Sequence, residues 1–318
     1  MNLAGKGPVA GGAAAEDLKR VSDTANRIIL GKGNAIRLAL TCMVARGHLL
    51  IEDTPGVGKT TLAHVLAKTL GLSFQRIQFT SDMWPADILG VSVYDRQSGQ
   101  FEFHPGPIFS QFILADEVNR ATPRAQSALL EAMEENQITL EGETRALPQP
   151  FFVIATQNPS NQIGTFPLPE SQLDRFMMRL HLGYPDTRAE RELLKGQDRR
   201  EMLATLSAVM MPDRLMQLQQ LVPQITVSDA LLDYMQDLLE FSRVSSEFNG
   251  GLSPRAGLAV LRCAQSWALL EGRDHVLPED VQSVLPGVVS HRLSLTSQKP
   301  GDTPDAAARV LVRQVPIP

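Results

Sequence analysis

Cysteine is scarce in this chain: two occur in 318 residues, Cys42 and Cys263, far apart and with no ligand-type residues beside them. A disulfide framework and a zinc site are both excluded, and each thiol reads as a small buried hydrophobe in a reducing compartment. Long apolar runs are missing too, and nothing approaches the roughly 18 consecutive apolar residues of a transmembrane helix. Basic residues are not in excess, with 30 Lys and Arg against 35 Asp and Glu and a formal net charge of −5. That balance gives no support to charge-driven binding along a nucleic acid backbone. Residues 1–15 are rich in Gly and Ala, with Lys6 their only charge. They lack the basic start and apolar centre of a signal peptide, so a disordered tail and a cytoplasmic location are expected. No repeat recurs at a fixed period.

What is present is an ordinary globular composition, 43% hydrophobic and 20% charged, in a chain long enough for one large or two medium domains. Residues 48–52, 74–80, 111–117, 151–157 and 176–182 read as short apolar strands. Residues 59–70 read as a helix with Leu62, Val65, Leu66 and Leu70 on one face. Strands alternating with helices predict a parallel five-stranded sheet covered on both faces. After Tyr184-Pro185-Asp186 the pattern turns helical. Ser228 reads as the N-cap of a helix to about Arg243, Ser253-Pro254 opens one that stops near Gly272, and Pro278-Glu279-Asp280 starts another. The expected order is a tail over 1–15, an α/β domain over 16–185, a smaller all-α domain over 186–297, and a loosely held tail over 298–318. That last stretch carries Pro300, Pro304, Pro316 and Pro318.

The stretch Thr54-Pro55-Gly56-Val57-Gly58-Lys59-Thr60-Thr61 follows one expected strand and opens an expected helix, the setting a phosphate-binding loop requires. Backbone N–H groups would curl around phosphates at the positive end of the helix dipole, with Gly56 and Gly58 allowing close approach. Lys59 would reach the β- and γ-phosphates of ATP, and the Thr60 hydroxyl would hold Mg²⁺. The bland alternative is a Gly-rich turn without a ligand. The usual pattern opens with Gly, and here that position is Asp53. A carboxylate beside a triphosphate is unfavourable unless it points away.

Phe112-Ile113-Leu114-Ala115-Asp116-Glu117 puts two carboxylates at the end of a buried-type strand, where an open parallel sheet lines its ligand crevice. Asp116 would bind Mg²⁺, directly or through water, and Glu117 would polarise the attacking water as general base. The alternative is a strand running into a solvated turn. On the next apolar strand Asn158 could hold that water between Glu117 and the γ-phosphate; before Pro159 it could equally start a turn. Arg175, in Leu173-Asp174-Arg175-Phe176, could serve as an arginine finger on a neighbouring subunit, or form a local salt bridge to Asp174 or Glu170. Arg255, at a helix start that the dipole disfavours for a cation, could contact the γ-phosphate or stay solvated.

In this order these residues resemble AAA+ ATPases, a P-loop core followed by a helical lid. Longer blocks resemble the MoxR family: Asp116 through Ala121, Leu129 through Glu135, Phe103 through Phe109, Ala155 through Pro159, and Pro169 through Phe176. Gly31-Lys32 and Gly47-His48 fit as well, and the resemblance spans about residues 20–295. It implies ATP bound between subunits of a homo-oligomeric ring, usually a hexamer. It also implies a chaperone-like role in maturing partner proteins, often ones with von Willebrand factor A (VWA) domains and a metal site. Whether Arg255 acts on its own subunit's nucleotide or a neighbour's stays open.

Residues 91–103 alternate about Gln97-Ser98-Gly99, and residues 137–147 turn at Glu141-Gly142-Glu143, so each reads as a β-hairpin. In related machines such hairpins face the pore and touch the client; the alternative for both is a surface hairpin with no partner. A DNA-translocating motor would need basic hairpins. Here the tips carry Asp95 with Arg96, and Glu141 and Glu143 with Arg145, so no nucleic acid partner is expected. A non-hydrolysing switch would need none of Glu117, Asn158 and Arg175. A magnesium-chelatase motor subunit is a nearer alternative, against which Asn119-Arg120-Ala121 and the shorter chain favour MoxR. His48 reads as a strand-edge or core histidine, and Met177-Met178 and Met210-Met211 as packing residues.

Overall fold

The computed structural model describes residues 9–158, 165–196, 199–297 and 303–317. Helices α1 (Val9–Ile28) and α2 (Gly33–Val44) precede β1 (Leu49–Glu52), α3 (Lys59–Thr69) and β2 (Phe74–Gln78). A short α4 (Pro85–Leu89) leads into an antiparallel hairpin of β3 (Gly90–Asp95) and β4 (Gln100–Pro105). Next come β5 (Phe112–Asp116), α5 (Pro123–Glu135) and a second hairpin, β6 (Gln137–Leu140) with β7 (Glu143–Ala146). The core closes with β8 (Phe152–Gln157), α6 (Glu170–Leu173) and β9 (Met178–Leu180). The helical part comprises α7 (Thr187–Lys195), α8 (Arg199–Ala204), α9 (Pro212–Leu221), α10 (Asp229–Val244), α11 (Pro254–Leu270), α12 (Pro278–Val289) and α13 (Ala306–Gln314), with a small ladder of β10 (Phe248–Asn249) and β11 (Ser294–Leu295).

Five strands form one parallel sheet in the order β2-β5-β8-β1-β9. Successive residues go to opposite faces, as strand geometry demands. Leu49 and Ile51 join one apolar cluster with Phe112, Leu114, Phe152 and Ile154, while Leu50 joins Ile113, Ala115, Val153 and Ala155 in another. The first cluster runs through α1, α2 and α3 into the helical domain, and the second packs under α5 and β6. Both faces of every central strand are therefore covered, which is why these strands read as continuous apolar runs. The helical domain docks on the helices ahead of β1. Ser266 Oγ donates to Thr41 O at 2.9 Å, and the Arg37 guanidinium lies 4.3 Å from the centre of the Trp267 ring.

The expected caps are in place: Ser228 accepts from Leu231 N at 3.2 Å, and Ser253 from Ala256 N at 3.1 Å. Two expected tails differ. Helix α1 already begins at Val9 and buries Ala14 completely; residues 1–8 lie outside the described residues. Near the other end α13 packs Ala307, Ala308 and Leu311 into the first cluster, inside the stretch that four prolines mark as loose. None of those prolines falls within the helix, and Pro300 and Pro318 lie outside the described residues. Among the described residues no helix is long and apolar enough to cross a membrane. Cys42 and Cys263 are both buried, and burial pushes the Cys263 thiol up to about 12.

Candidate active site

Beyond β1 the chain turns through residues 53–58 into α3. Gly56 and Gly58 take φ values of 86° and 98°, and a Cβ on either would meet nothing within 4 Å. Glycine is needed there for the direction of the backbone, which leaves an open cradle. Thr54, Pro55 and Gly56 form its exposed crest, Val57 is buried beneath, and Thr60 and Thr61 are half-buried in the first turn of α3. Lys59 is buried; its Nζ donates to Asp53 O at 2.6 Å and to Asn158 Oδ1 at 3.2 Å. Burial pulls the Lys59 ammonium below its usual range, and the charges of Asp116, Asp53 and Glu117 work against that.

One oxygen of the Asp53 carboxylate stays at the crest and the other turns away from it. Its Oδ1 accepts from Thr54 N at 2.8 Å, and its Oδ2 from the amides of Leu182 at 2.7 Å and Gly183 at 2.6 Å, just past β9. The carboxylate is thus held by three backbone amides, two of them outside the loop.

The carboxyl ends of β5 and β8 lie next to that of β1 and bring the remaining groups together. Asp116 is buried, with Oδ1 accepting from Thr156 Oγ1 at 2.5 Å and Oδ2 from Arg76 Nη2 at 2.6 Å. Glu117 turns sharply out of the strand at a left-handed φ of 58°. Its Oε1 accepts from Asn158 Nδ2 at 3.1 Å, and its Oε2 from Gln78 Nε2 at 3.1 Å, with Arg120 Nε 2.9 Å away. One Asn158 amide thus joins Lys59 on its oxygen to Glu117 on its nitrogen. The Asn158 carbonyl in turn accepts from Asn119 Nδ2 at 3.2 Å.

Sequence reading missed Arg76, Gln78 and Thr156. A period of two carries the only signal for them: Thr156 shares a strand face with Asn158, and Arg76 with Gln78. The oxygen donors of Thr60 and Asp116 suit a hard cation such as Mg²⁺, although Arg76 would have to yield its oxygen of Asp116.

Arg175 and Arg255 are not brought to this loop. Arg175 precedes β9, at the amino end of the sheet, whereas the loop follows the carboxyl end of the parallel strand β1. Arg175 Nη1 lies 2.9 Å from Glu134 Oε2 and donates to Leu130 O at 2.7 Å. Arg255 Nη2 lies 2.9 Å from the other oxygen of the same carboxylate. Glu134 takes the place of the local partners Asp174 and Glu170. Asp174 is claimed instead by Arg292, three residues past the end of α12, which also donates to the carbonyls of Asp174, Phe176 and Met177. Beside the two arginines is an open cleft of about 610 Å³, with Arg46, Arg262 and Arg292 on its wall. Gly47 also borders it, and a Cβ there would sit 2.4 Å from that of Met177, so no larger residue fits. His48 is a core residue: Nδ1 accepts from Val153 N at 3.0 Å, and Nε2 lies 3.1 Å from Met133 O.

A glycine cradle opening a helix, an acidic pair on the adjacent strand and a polar strand end between them, followed by a helical lid, define an AAA+ P-loop ATPase. Comparison with known proteins agrees. Residues 48–178 match the family model of the ATPases associated with various cellular activities (AAA), and residues 240–311 match an AAA lid domain. The chain is 42% identical to an uncharacterised Bacillus subtilis protein, YeaC, over 92% of both chains. It is 38% identical to the chaperone MoxR1 of Mycobacterium tuberculosis, over 96% of this chain and 84% of that one. A crystal structure described as that of a candidate ATPase from Cytophaga hutchinsonii superposes with a TM-score of 0.85 at 36% identity, covering 96% of each chain. The chain belongs to the MoxR family of AAA+ ATPases.

Proposed function

We propose that this chain binds and hydrolyses ATP with Mg²⁺ at the 54–61 loop, as one subunit of a head-to-tail ring that remodels or matures a protein client. The bridging of Lys59 and Glu117 by Asn158 carries the reading. A binding loop, a general base and a polar group between them converge on one crevice, as phosphoryl transfer to water requires. Backbone N–H groups of the loop and Lys59 would hold the phosphates, Glu117 would take the proton of the attacking water, and Asn158 would orient that water. Thr60 and Asp116 would hold Mg²⁺, which neutralises charge at the phosphates.

Arg175 and Arg255 would act in trans. Both lie at the end of the sheet away from their own loop, beside an arginine-rich cleft suited to a neighbour's phosphate. Such a contact joins unlike surfaces and closes into a ring when the rotation allows. A hexamer is the size expected. For the client, the β3–β4 hairpin exposes Val91, Val93, Tyr94 and Phe101, while its tip carries Asp95 and Arg96. An apolar hairpin whose one arginine, Arg96, is outnumbered by Asp95 and Glu102 suits a protein, VWA-domain partners included, better than a nucleic acid backbone.

Steady-state ATPase activity against protein concentration tests this for wild type, Glu117→Gln and Arg175→Ala. A specific rate that rises with concentration, collapses in each variant and returns when the two variants are mixed is the expected result. ATP binding without turnover in the wild type would leave a nucleotide switch in place of a motor.

A further inference from the structure

Residues 182–184 join β9 to the helical domain, and two charged side chains hold them from opposite sides. Lys32, buried, donates from Nζ to the carbonyls of Leu182 at 2.5 Å, Gly183 at 2.9 Å and Tyr184 at 2.7 Å. An ammonium has three donors, so these carbonyls use its whole capacity. Asp53 accepts from the amides of Leu182 and Gly183. A single peptide group, Leu182–Gly183, therefore has its carbonyl on a cation and its N–H on an anion. Polarisation along such a chain strengthens both charge-assisted bonds. The next element is held equally closely. A Cβ at Gly31 would lie 2.9 Å from that of Ala189 in the first turn of α7, a turn that Asp186 caps by accepting from Ala189 N at 2.7 Å.

Asp53 also reaches the phosphate cradle. Its carbonyl accepts from Lys59 Nζ at 2.6 Å, and its carboxylate from Thr54 N on the crest. Entry to the lid is thus bonded to the residue whose backbone holds the phosphate-seeking lysine.

We propose that Asp53 and Lys32 are a positioning pair that passes the occupancy of the phosphate loop to the lid, so that nucleotide binding turns the helical domain against the sheet. The proposal rests on the nucleotide-binding reading above. When phosphate oxygens take Lys59 Nζ, that group leaves Asp53 O and the head of the loop readjusts. The carboxylate moves the two hinge amides with it, while Lys32 keeps the opposite side of the same peptide fixed. Glycine at position 53, the residue usual in such loops, would leave the hinge amides to water and uncouple the lid.

The test is a distance measured by pulsed electron paramagnetic resonance between spin labels on Arg124→Cys at the start of α5 and Gln236→Cys on α10. Both positions are exposed, whereas the native thiols Cys42 and Cys263 are buried. Labelled chain is diluted into unlabelled chain, and MgADP and a non-hydrolysable ATP analogue are the probes. In the wild-type background the distance distribution shifts on adding nucleotide. Asp53→Asn, Asp53→Gly and Lys32→Met each lose at least half of that shift, and Lys32→Met keeps its MgADP affinity within about threefold. Because both side chains act on one peptide, the Asp53→Asn/Lys32→Met double variant loses little more than either single one. Thermal unfolding selects the variants that fold. A full shift in folded Asp53→Gly or Lys32→Met overturns the proposal, as does wild type that binds MgADP with no shift. Wild type that binds no nucleotide overturns the nucleotide-binding reading, and the coupling with it.

Discussion

Glu134 holds Arg175 on one carboxylate oxygen and Arg255 on the other, each at 2.9 Å, although one arginine belongs to the sheet domain and the other to α11. If these arginines serve a neighbour's phosphate, Glu134 competes for them, and its charge also repels that phosphate. Both effects act in the same direction. Part-exposed pairs are worth about 0.2–1 kcal/mol each, so removing the charge should favour assembly by about 1 kcal/mol. We expect Glu134→Gln to lower the protein concentration at half-maximal ATPase activity about fivefold. Loss of activity like that of Arg175→Ala would mean that Glu134 aims the arginines instead.

Among the described residues, Asn158 is the one side chain bonded to both Lys59 and Glu117. Replacing it by Ala should slow ATP turnover on the order of 10²-fold, with KM changed far less, because the bound nucleotide keeps the loop while the water loses its orientation. An equal fall in kcat and rise in KM would place Asn158 in nucleotide binding.

Asp280, almost fully buried, is paired bidentately with Arg273 and caps α12 by accepting from Leu277 N at 2.8 Å. Arg273→Met strands that carboxylate. The cost should be about 3 kcal/mol, lowering Tm by roughly 6–12 °C. A change below about 1 °C in calorimetry would show that water reaches Asp280.

His48 gives the fold an acid-sensitive point. Burial lowers its pKa from 6.5 to about 4, and Nδ1, which a proton would occupy, already accepts from Val153 N. The unfolded chain takes up the proton first, so the contribution is complete above about pH 6.5 and falls as pH drops toward 4. Denaturant midpoints should decline across that window by the equivalent of a few kcal/mol. His291, also driven down by burial, adds to the decline in the same direction. His48→Gln should flatten the slope; an unchanged slope would assign the loss to other groups.

The central strands β5, β8 and β1 were legible because each is buried on both faces and so reads as an apolar run, whereas edge strand β2 keeps Gln75, Arg76 and Gln78 exposed. The order β2-β5-β8-β1-β9 was not, since crossovers set it and no local pattern does. The β6–β7 hairpin was legible from its turn, where Glu141 and Gly142 both take positive φ, as a two-residue turn of this kind demands. Helices α1 and α2 were passed over: α1 starts in a Gly- and Ala-rich stretch, and α2 has no side-chain N-cap. In the candidate site, the sequence offers a motif spacing for the loop and the acidic pair, whereas Arg76, Gln78 and Glu134 act through partners 40, 39 and 41 positions away on other elements. Such pairings exist only once the sheet has formed.

A motif pattern that insists on glycine at the head of the phosphate loop passes over this chain. Glycine is compulsory only where φ is positive or a side chain would collide, and Asp53 adopts no positive φ and sends its side chain to the hinge. A search that fixes glycine at this position would leave out a chain whose acid there is bonded to the hinge amides instead.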